Sequence, residues 1–262
     1  MQDLIHAIVM GIVEGLTEFL PVSSTGHLIL TGELLGFKGE RAKTFEVVIQ
    51  FGAVLAVLVL YWKRFLKLLN FRMGKDSGLN ALHVALAMVP ACTVAVLMHG
   101  FIKAYLFGPQ TVLIGLVAGG LLMIAADRSR RKIVSEELDD ITYTQAFVIG
   151  CFQVLALWPG FSRSGSTISG GMLAGASQKA AAEFTFIVSV PIMAGASIVD
   201  LLGSKEYLVK EDVLLFLVGL LAAFIVAMIA VITFINLMKR LRLSYFAYYR
   251  FGLALLFFLL ML

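Results

Sequence analysis

Long apolar runs separated by short polar connections dominate the chain. A helix needs about 20 largely apolar residues to cross roughly 30 Å of hydrocarbon. Residues 45–62, 81–98, 111–126, 184–202, 213–237 and 245–262 read as spans of that kind. Two shorter apolar stretches, 4–20 and 143–158, run straight into polar loops. The pattern predicts an all-α polytopic membrane protein with about six transmembrane helices, forming one integral membrane domain over residues 1–262.

Composition agrees with the pattern. Of 262 residues, 60% are hydrophobic and 15% charged, which excludes an ordinary soluble domain. The N-terminus has no basic region, short apolar core and small-residue cleavage site in succession, so the first apolar stretch is expected to remain in the mature protein. Cys92 and Cys151 sit inside apolar segments at no metal-ligand spacing and read as small buried thiols.

A net charge of +4 does not point to nucleic acid, because the basic residues gather between apolar segments. They form three groups: Lys63, Arg64, Lys67, Arg72 and Lys75; Arg128, Arg130, Arg131 and Lys132; and Lys239, Arg240 and Arg242. An excess of Lys and Arg marks cytoplasmic loops, so all three groups are expected inside. Two spans between the first and second groups satisfy that parity. Between the second and third, three apolar stretches are one too many. The stretch 143–158 therefore reads as re-entrant, because it breaks at "WPGFSRSGSTISGG". Non-helical backbone at membrane depth is tolerated only when buried in protein or lining a wet cavity.

A constant offset of 139 aligns Ala7 with Ala146, Gly11 with Gly150, Ser23 with Ser162, Gly26 with Gly165 and Gly36 with Gly175. Identity is roughly a quarter over about fifty residues, which marks an internal repeat. Its copies fall at about 5–62 and 144–202, with the helices 81–98, 111–126, 213–237 and 245–262 outside them. The charge pattern ends the first copy inside and the second outside, an inverted topology with two re-entrant segments. Such repeats place a shared site between the copies, within the membrane.

The polar residues of the two breaks carry the chemistry. Glu14 and Glu18 are four apart, so on a helix both carboxylates share one face with Cβ atoms about 6 Å apart. In a membrane they protonate, pair with a base, or share a divalent cation. Pro21 ends that helix, and Ser23, Ser24, Thr25 and Gly26 precede the next apolar run. His27, three residues after Ser24, is placed to serve a serine hydroxyl or a bound oxyanion as base or proton donor. In the second break Arg163 stands among Ser162, Ser164, Gly165, Ser166 and Thr167. A buried guanidinium needs an anion, and its fork matches phosphate oxygens; snorkelling, or an internal pair with Glu14 or Glu18, is the alternative. Carboxylates, hydroxyls, a histidine and a guanidinium together suit phosphoryl chemistry on a substrate that resides in lipid. Transport or flipping of an anionic prenyl lipid is the rival reading, since inverted repeats with broken helices are also a transporter architecture.

At these residues the chain resembles the bacterial undecaprenyl-pyrophosphate phosphatase family, BacA or UppP, known for bacitracin resistance. "EGLTE" followed by "PVSSTGH" matches the family's glutamate motif, and "PGFSRSGST", Pro159 to Thr167, meets every fixed position of P-G-x-S-R-S-x-x-T. The resemblance runs essentially full length. It implies hydrolysis of a C55 prenyl pyrophosphate lipid to its monophosphate, recycling the lipid carrier for cell-wall polymers. It implies that activity needs Glu14, Glu18, Ser24, His27, Ser162, Arg163 and Thr167 and a divalent cation, Mg²⁺ or Ca²⁺. From their chemistry Glu14, Glu18, Ser24 and His27 are expected to be catalytic, Glu14 and Glu18 to hold the cation, and Ser162, Arg163 and Thr167 to bind substrate. So are the bacterial inner membrane, an active site open to the periplasm, and a homodimer.

Overall fold

The computed structural model describes residues 2–69, 78–106, 108–203, 212–238 and 240–261. Arg72, Lys75 and Lys239 of the basic groups lie outside them. The described residues form helices α1 (Gln2–Thr17), α2 (Ser24–Leu35), α3 (Glu40–Leu60), α4 (Trp62–Leu69), α5 (Ala81–Leu97), α6 (His99–Tyr105) and α7 (Pro109–Arg128). There follow α8 (Tyr143–Gln153), which tightens into a 3-10 turn at Val154–Leu157, then α9 (Arg163–Leu173), α10 (Gln178–Gly203), α11 (Val213–Leu237) and α12 (Leu243–Met261). The one β-type pairing among them is an isolated bridge between Ser135 and Ala176. In hydrocarbon each backbone amide must find its partner within the chain, and helices meet that demand locally.

Helices α3, α7, α10, α11 and α12 are long and apolar enough to cross a membrane; α5, with 17 residues and Pro90 inside, falls just short. Large apolar side chains such as Val96, Leu97, Val199 and Leu259 face outward. The protein is thus the all-α polytopic membrane protein that its apolar pattern predicts. Cys92 and Cys151 are also exposed, not buried as expected. In a lipid solvent, apolarity does not decide which side of a helix turns inward.

Two spans start earlier than their apolar runs. The first turn of α3 is polar yet helical, because Arg41 forks onto Asp212 at the head of α11 with bonds of 2.8 and 2.5 Å. Helix α10 begins at Gln178, where the Ser177 hydroxyl accepts from the Ala180 amide at 3.0 Å.

The breaks recur at the offset of 139. Ser23 caps α2 and Ser162 caps α9, both at positive φ (73° and 74°). Helices α1, α2, α8 and α9, at 16, 12, 11 and 11 residues, are each too short to span. Helix α1 packs chiefly on α11, and α8 on α5, so each broken helix lies against an apolar helix from the other half of the chain. Glycine permits both approaches: a Cβ on Gly11 would stand 2.5 Å from Gly219 O, and one on Gly150 2.6 Å from Ala87 O. Gln153 donates to the same Ala87 carbonyl at 3.1 Å. Helices α3 and α10 pack together at the centre. There Phe19 meets Phe186 edge-on at 5.4 Å, and both are fully buried.

Candidate active site

Each break follows from a few residues. Pro21 cannot donate a helical hydrogen bond, so α1 stops before it and α2 restarts under the Ser23 cap, which accepts from Gly26 N at 3.4 Å. Pro159 and Gly160 do the same before α9, where Ser162 accepts from Gly165 N at 3.2 Å. A non-glycine residue at positive φ costs about 1–3 kcal/mol and persists only where its surroundings fix it. Both strained serines stand at the same cavity.

That cavity holds about 170 Å³. Glu18, Ser23, Ser24 and Thr25 line it from the first break, and Ser162 and Arg163 from the second. The first residues of α2 and α9 therefore face one space. Helix N-termini present free N–H groups and the positive end of the helix dipole, so two of them converging make an anion cradle. Ala156, Trp158 and Met193 supply the less polar wall. The breaks also touch directly, through Ser164 Oγ donating to Leu20 O at 2.9 Å.

Glu18 is the hub. Arg163 Nη2 donates to its Oε1 at 2.8 Å, and Ser24 Oγ donates to its Oε2 at 2.5 Å. The Glu18 and Arg163 side chains are 7% and 14% exposed, so little water screens the pair. Arg163 is held further by Met193 Sδ at 2.9 Å, a long bond to Thr185 O at 3.4 Å, and the Phe19 ring 5.6 Å away. The guanidinium takes the internal pair with Glu18, one of the two partners the sequence offers it.

Glu14, His27 and Thr167 are not among the residues that line the cavity. His27 Nδ1 lies 2.7 Å from Ser23 O, which can only accept; in the neutral ring Nδ1 therefore carries the proton, and Nε2 accepts from the Tyr249 hydroxyl at 2.7 Å. The two rings stack. Both nitrogens are engaged, so the group that meets the Ser24 hydroxyl is Glu18 rather than the expected His27. Thr167 Oγ1 donates to Arg163 O at 2.8 Å and accepts from Thr185 Oγ1 at 2.9 Å, tying α9 to α10 one turn behind the cavity. Ser162 does line the cavity, and its hydroxyl serves as the cap.

Glu14 lies one turn before Glu18, 1% exposed, and neither carboxylate oxygen has a hydrogen-bond partner among the described residues. Such orphaned hard oxygens fit Mg²⁺ or Ca²⁺. No cluster of three or more metal-binding side chains occurs among the described residues. The buried Glu14 and Glu18 carboxylates would be the residues to hold such an ion.

Three residues escaped the sequence reading. Gln50 of α3 lines the cavity. Tyr249 holds His27, and Arg250, fully buried, donates to Gly160 O at 2.8 Å. Gln50 and Arg250 are polar interruptions of apolar spans, which is the signal that marks them: a polar or charged side chain at membrane depth is a candidate for function.

Fold and site together define a polytopic helical membrane protein with a polar, anion-suited cavity between two helix breaks. A family model described as "Bacitracin resistance protein BacA" matches residues 7–256. "Undecaprenyl-diphosphatase 1" of Bacillus thuringiensis subsp. konkukian (strain 97-27) is 55% identical over 259 residues, 98% of each chain. The protein of that name in Bacillus anthracis matches to the same extent. This chain belongs to the BacA family of bacitracin resistance proteins.

Proposed function

We propose that the protein is an undecaprenyl-diphosphate phosphatase: it hydrolyses undecaprenyl pyrophosphate to undecaprenyl phosphate and inorganic phosphate, recycles the lipid carrier for cell-wall synthesis and confers bacitracin resistance. The observation that carries the reading is Glu18, held between the Ser24 hydroxyl and the Arg163 guanidinium on the wall of one cavity. Family membership and the names of its relatives agree with it.

In the proposed mechanism the diphosphate head enters the cradle and takes over Arg163 from Glu18, since a fork that binds one carboxylate oxygen binds phosphate oxygens equally well. The N–H groups at the starts of α2 and α9, the latter fixed by the Ser162 cap, hold further oxygens. Thr167 keeps the Arg163 turn in place. Ser24 Oγ attacks the terminal phosphorus and passes its proton to Glu18. The bond from that phosphorus to the bridging oxygen breaks, and prenyl phosphate leaves. Water then cleaves the serine phosphate, giving inorganic phosphate and returning the proton to Ser24. In this scheme His27 orients the first break through Ser23 O instead of moving the proton. Glu14 and Glu18 would hold a Mg²⁺ or Ca²⁺ ion, which when bound neutralises charge on the diphosphate.

The reading places the protein in the bacterial cytoplasmic membrane with the cavity open to the periplasm, and as a homodimer, both as the family resemblance implies. The test is phosphate release from undecaprenyl pyrophosphate by the purified protein, with and without chelator. Release that stops with chelator and resumes with added cation is expected. Lipid movement without phosphate release would make the protein a transporter instead.

A further inference from the structure

Arg250 is the largest fully buried side chain among the described residues. It enters from the middle of α12, between apolar turns, and among the described residues it forms no ion pair. Nη2 donates to Gly160 O at 2.8 Å and Gly115 O at 3.1 Å, Nη1 meets only Met123 Sδ at 3.5 Å, and Nε has no partner. The fold is shaped to admit this group. On α7, a Cβ at Gly115 would stand 2.4 Å from Pro159 O, and one at Gly119 would stand 2.4 Å from both Arg250 Nη2 and Phe161 O. These two glycines, one turn apart, open a slot that takes the second break and the guanidinium together.

A cation taken out of water without a counter-charge is costly, and two carbonyls and a thioether do not neutralise it. The missing anion is therefore to be sought outside the chain. The head of Arg250 lies against the first turn of α9: the Cβ position of Gly165 is 3.1 Å from Arg250 Nη1 and 3.3 Å from Ser162 Oγ. Gly160, whose carbonyl Arg250 holds, lines the cavity beside Ser162 and Arg163. Of the two guanidiniums at this break, Arg163 is already neutralised by Glu18 and Arg250 is not. The preceding residue, Tyr249, holds His27, so adjacent side chains of α12 fasten both breaks.

We infer that Arg250 is a positioning residue for the diphosphate: from behind the second break it fixes the Gly160 carbonyl and supplies the uncompensated positive charge that draws the anionic head into the cavity. The inference rests on the phosphatase reading and assigns the last helix a part in it.

The test is binding of inorganic pyrophosphate to the full-length protein in detergent, by calorimetry at several salt concentrations with divalent cation present, alongside kinetics on the prenyl diphosphate. Arg250→Gln should weaken pyrophosphate binding roughly 10- to 100-fold, as expected for loss of an interaction with a charged group. It should also flatten the salt dependence and raise KM more than it lowers kcat. Arg250→Lys, which keeps the charge, should recover most of the affinity. A monodisperse Arg250→Gln protein with wild-type affinity and salt slope overturns the inference. So does a folded Arg250→Lys protein as weak as the Gln variant. If the Gln variant does not fold, the Lys variant decides: retained affinity supports the role of the charge, and tenfold loss refutes it. Wild-type protein that neither binds pyrophosphate nor releases phosphate removes the phosphatase reading itself; active wild type with an unchanged Gln variant removes only the role of Arg250.

Discussion

Replacing Glu18 by Gln keeps the side chain's shape and removes its charge. The carboxylate touches two partners, and the mutation acts on each differently. Toward Ser24, the 2.5 Å contact is a direct path for the hydroxyl proton, and a neutral amide cannot take that proton. Loss of a positioned base typically costs 10²–10⁴ in rate, or about 3–5 kcal/mol of barrier. Toward Arg163, the 2.8 Å ion pair is lost in a site that is 14% exposed or less, which leaves the guanidinium seeking an anion before substrate arrives. The diphosphate no longer displaces a carboxylate, so KM should stay constant or fall while kcat falls by 10²–10⁴. The free protein should melt lower than wild type, and substrate or pyrophosphate should restore more of the melting temperature than in wild type. The assay is steady-state phosphate release from undecaprenyl pyrophosphate at saturating divalent cation, which compensates for the loss of Glu18 as a proposed cation ligand, with melting followed in the same detergent. A Glu18→Gln enzyme with kcat within about threefold of wild type would refute proton transfer to Glu18. A large rise in KM would refute the displacement of Glu18 from Arg163.

Arg163→Lys should raise KM by about tenfold or more, because an ammonium cannot reproduce the fork and one charge-assisted bond is lost; wild-type affinity would remove Arg163 from the phosphate site. Ser24→Ala should lose nearly all turnover and all trapping of a serine phosphate in rapid quench, whereas near-normal turnover would replace the covalent route with direct attack by water. Glu14→Gln should weaken activation by Mg²⁺ or Ca²⁺ about 10- to 100-fold, seen as a rightward shift of the cation titration, with maximal rate largely recovered at high cation; an unchanged titration would exclude Glu14 as a ligand.

Much of the site is legible in the sequence because its residues are expensive in hydrocarbon and lie close together in two runs. Glu14, Glu18 and Arg163 stand out by charge, and Pro21 and Pro159 announce the breaks. What pairs with what depends on the packing of distant helices. Nothing near His27 in the chain points to Tyr249, 222 residues away, which occupies the ring nitrogen expected to serve Ser24. The two breaks also differ in their side chains: at the offset of 139, Gln153 stands opposite Glu14, Leu157 opposite Glu18, and Arg163 opposite Ser24. The acids come from one break and the cation from the other, so neither half is complete alone. Apolarity marks the spans, but polar contacts set their starts at Glu40 and Gln178, Arg41 with Asp212 and the Ser177 cap. The outward-facing cysteines show the remaining gap, since in lipid an apolar residue is as stable outside as inside.

The most direct measurement is a structure of the protein with a prenyl methylene-diphosphonate, whose bridging carbon resists cleavage. The account predicts the terminal phosphonate within hydrogen-bonding reach of Ser24 Oγ and the Arg163 fork, with Arg163 released from Glu18. A diphosphonate seated away from both breaks, with the Glu18–Arg163 pair intact, would contradict it.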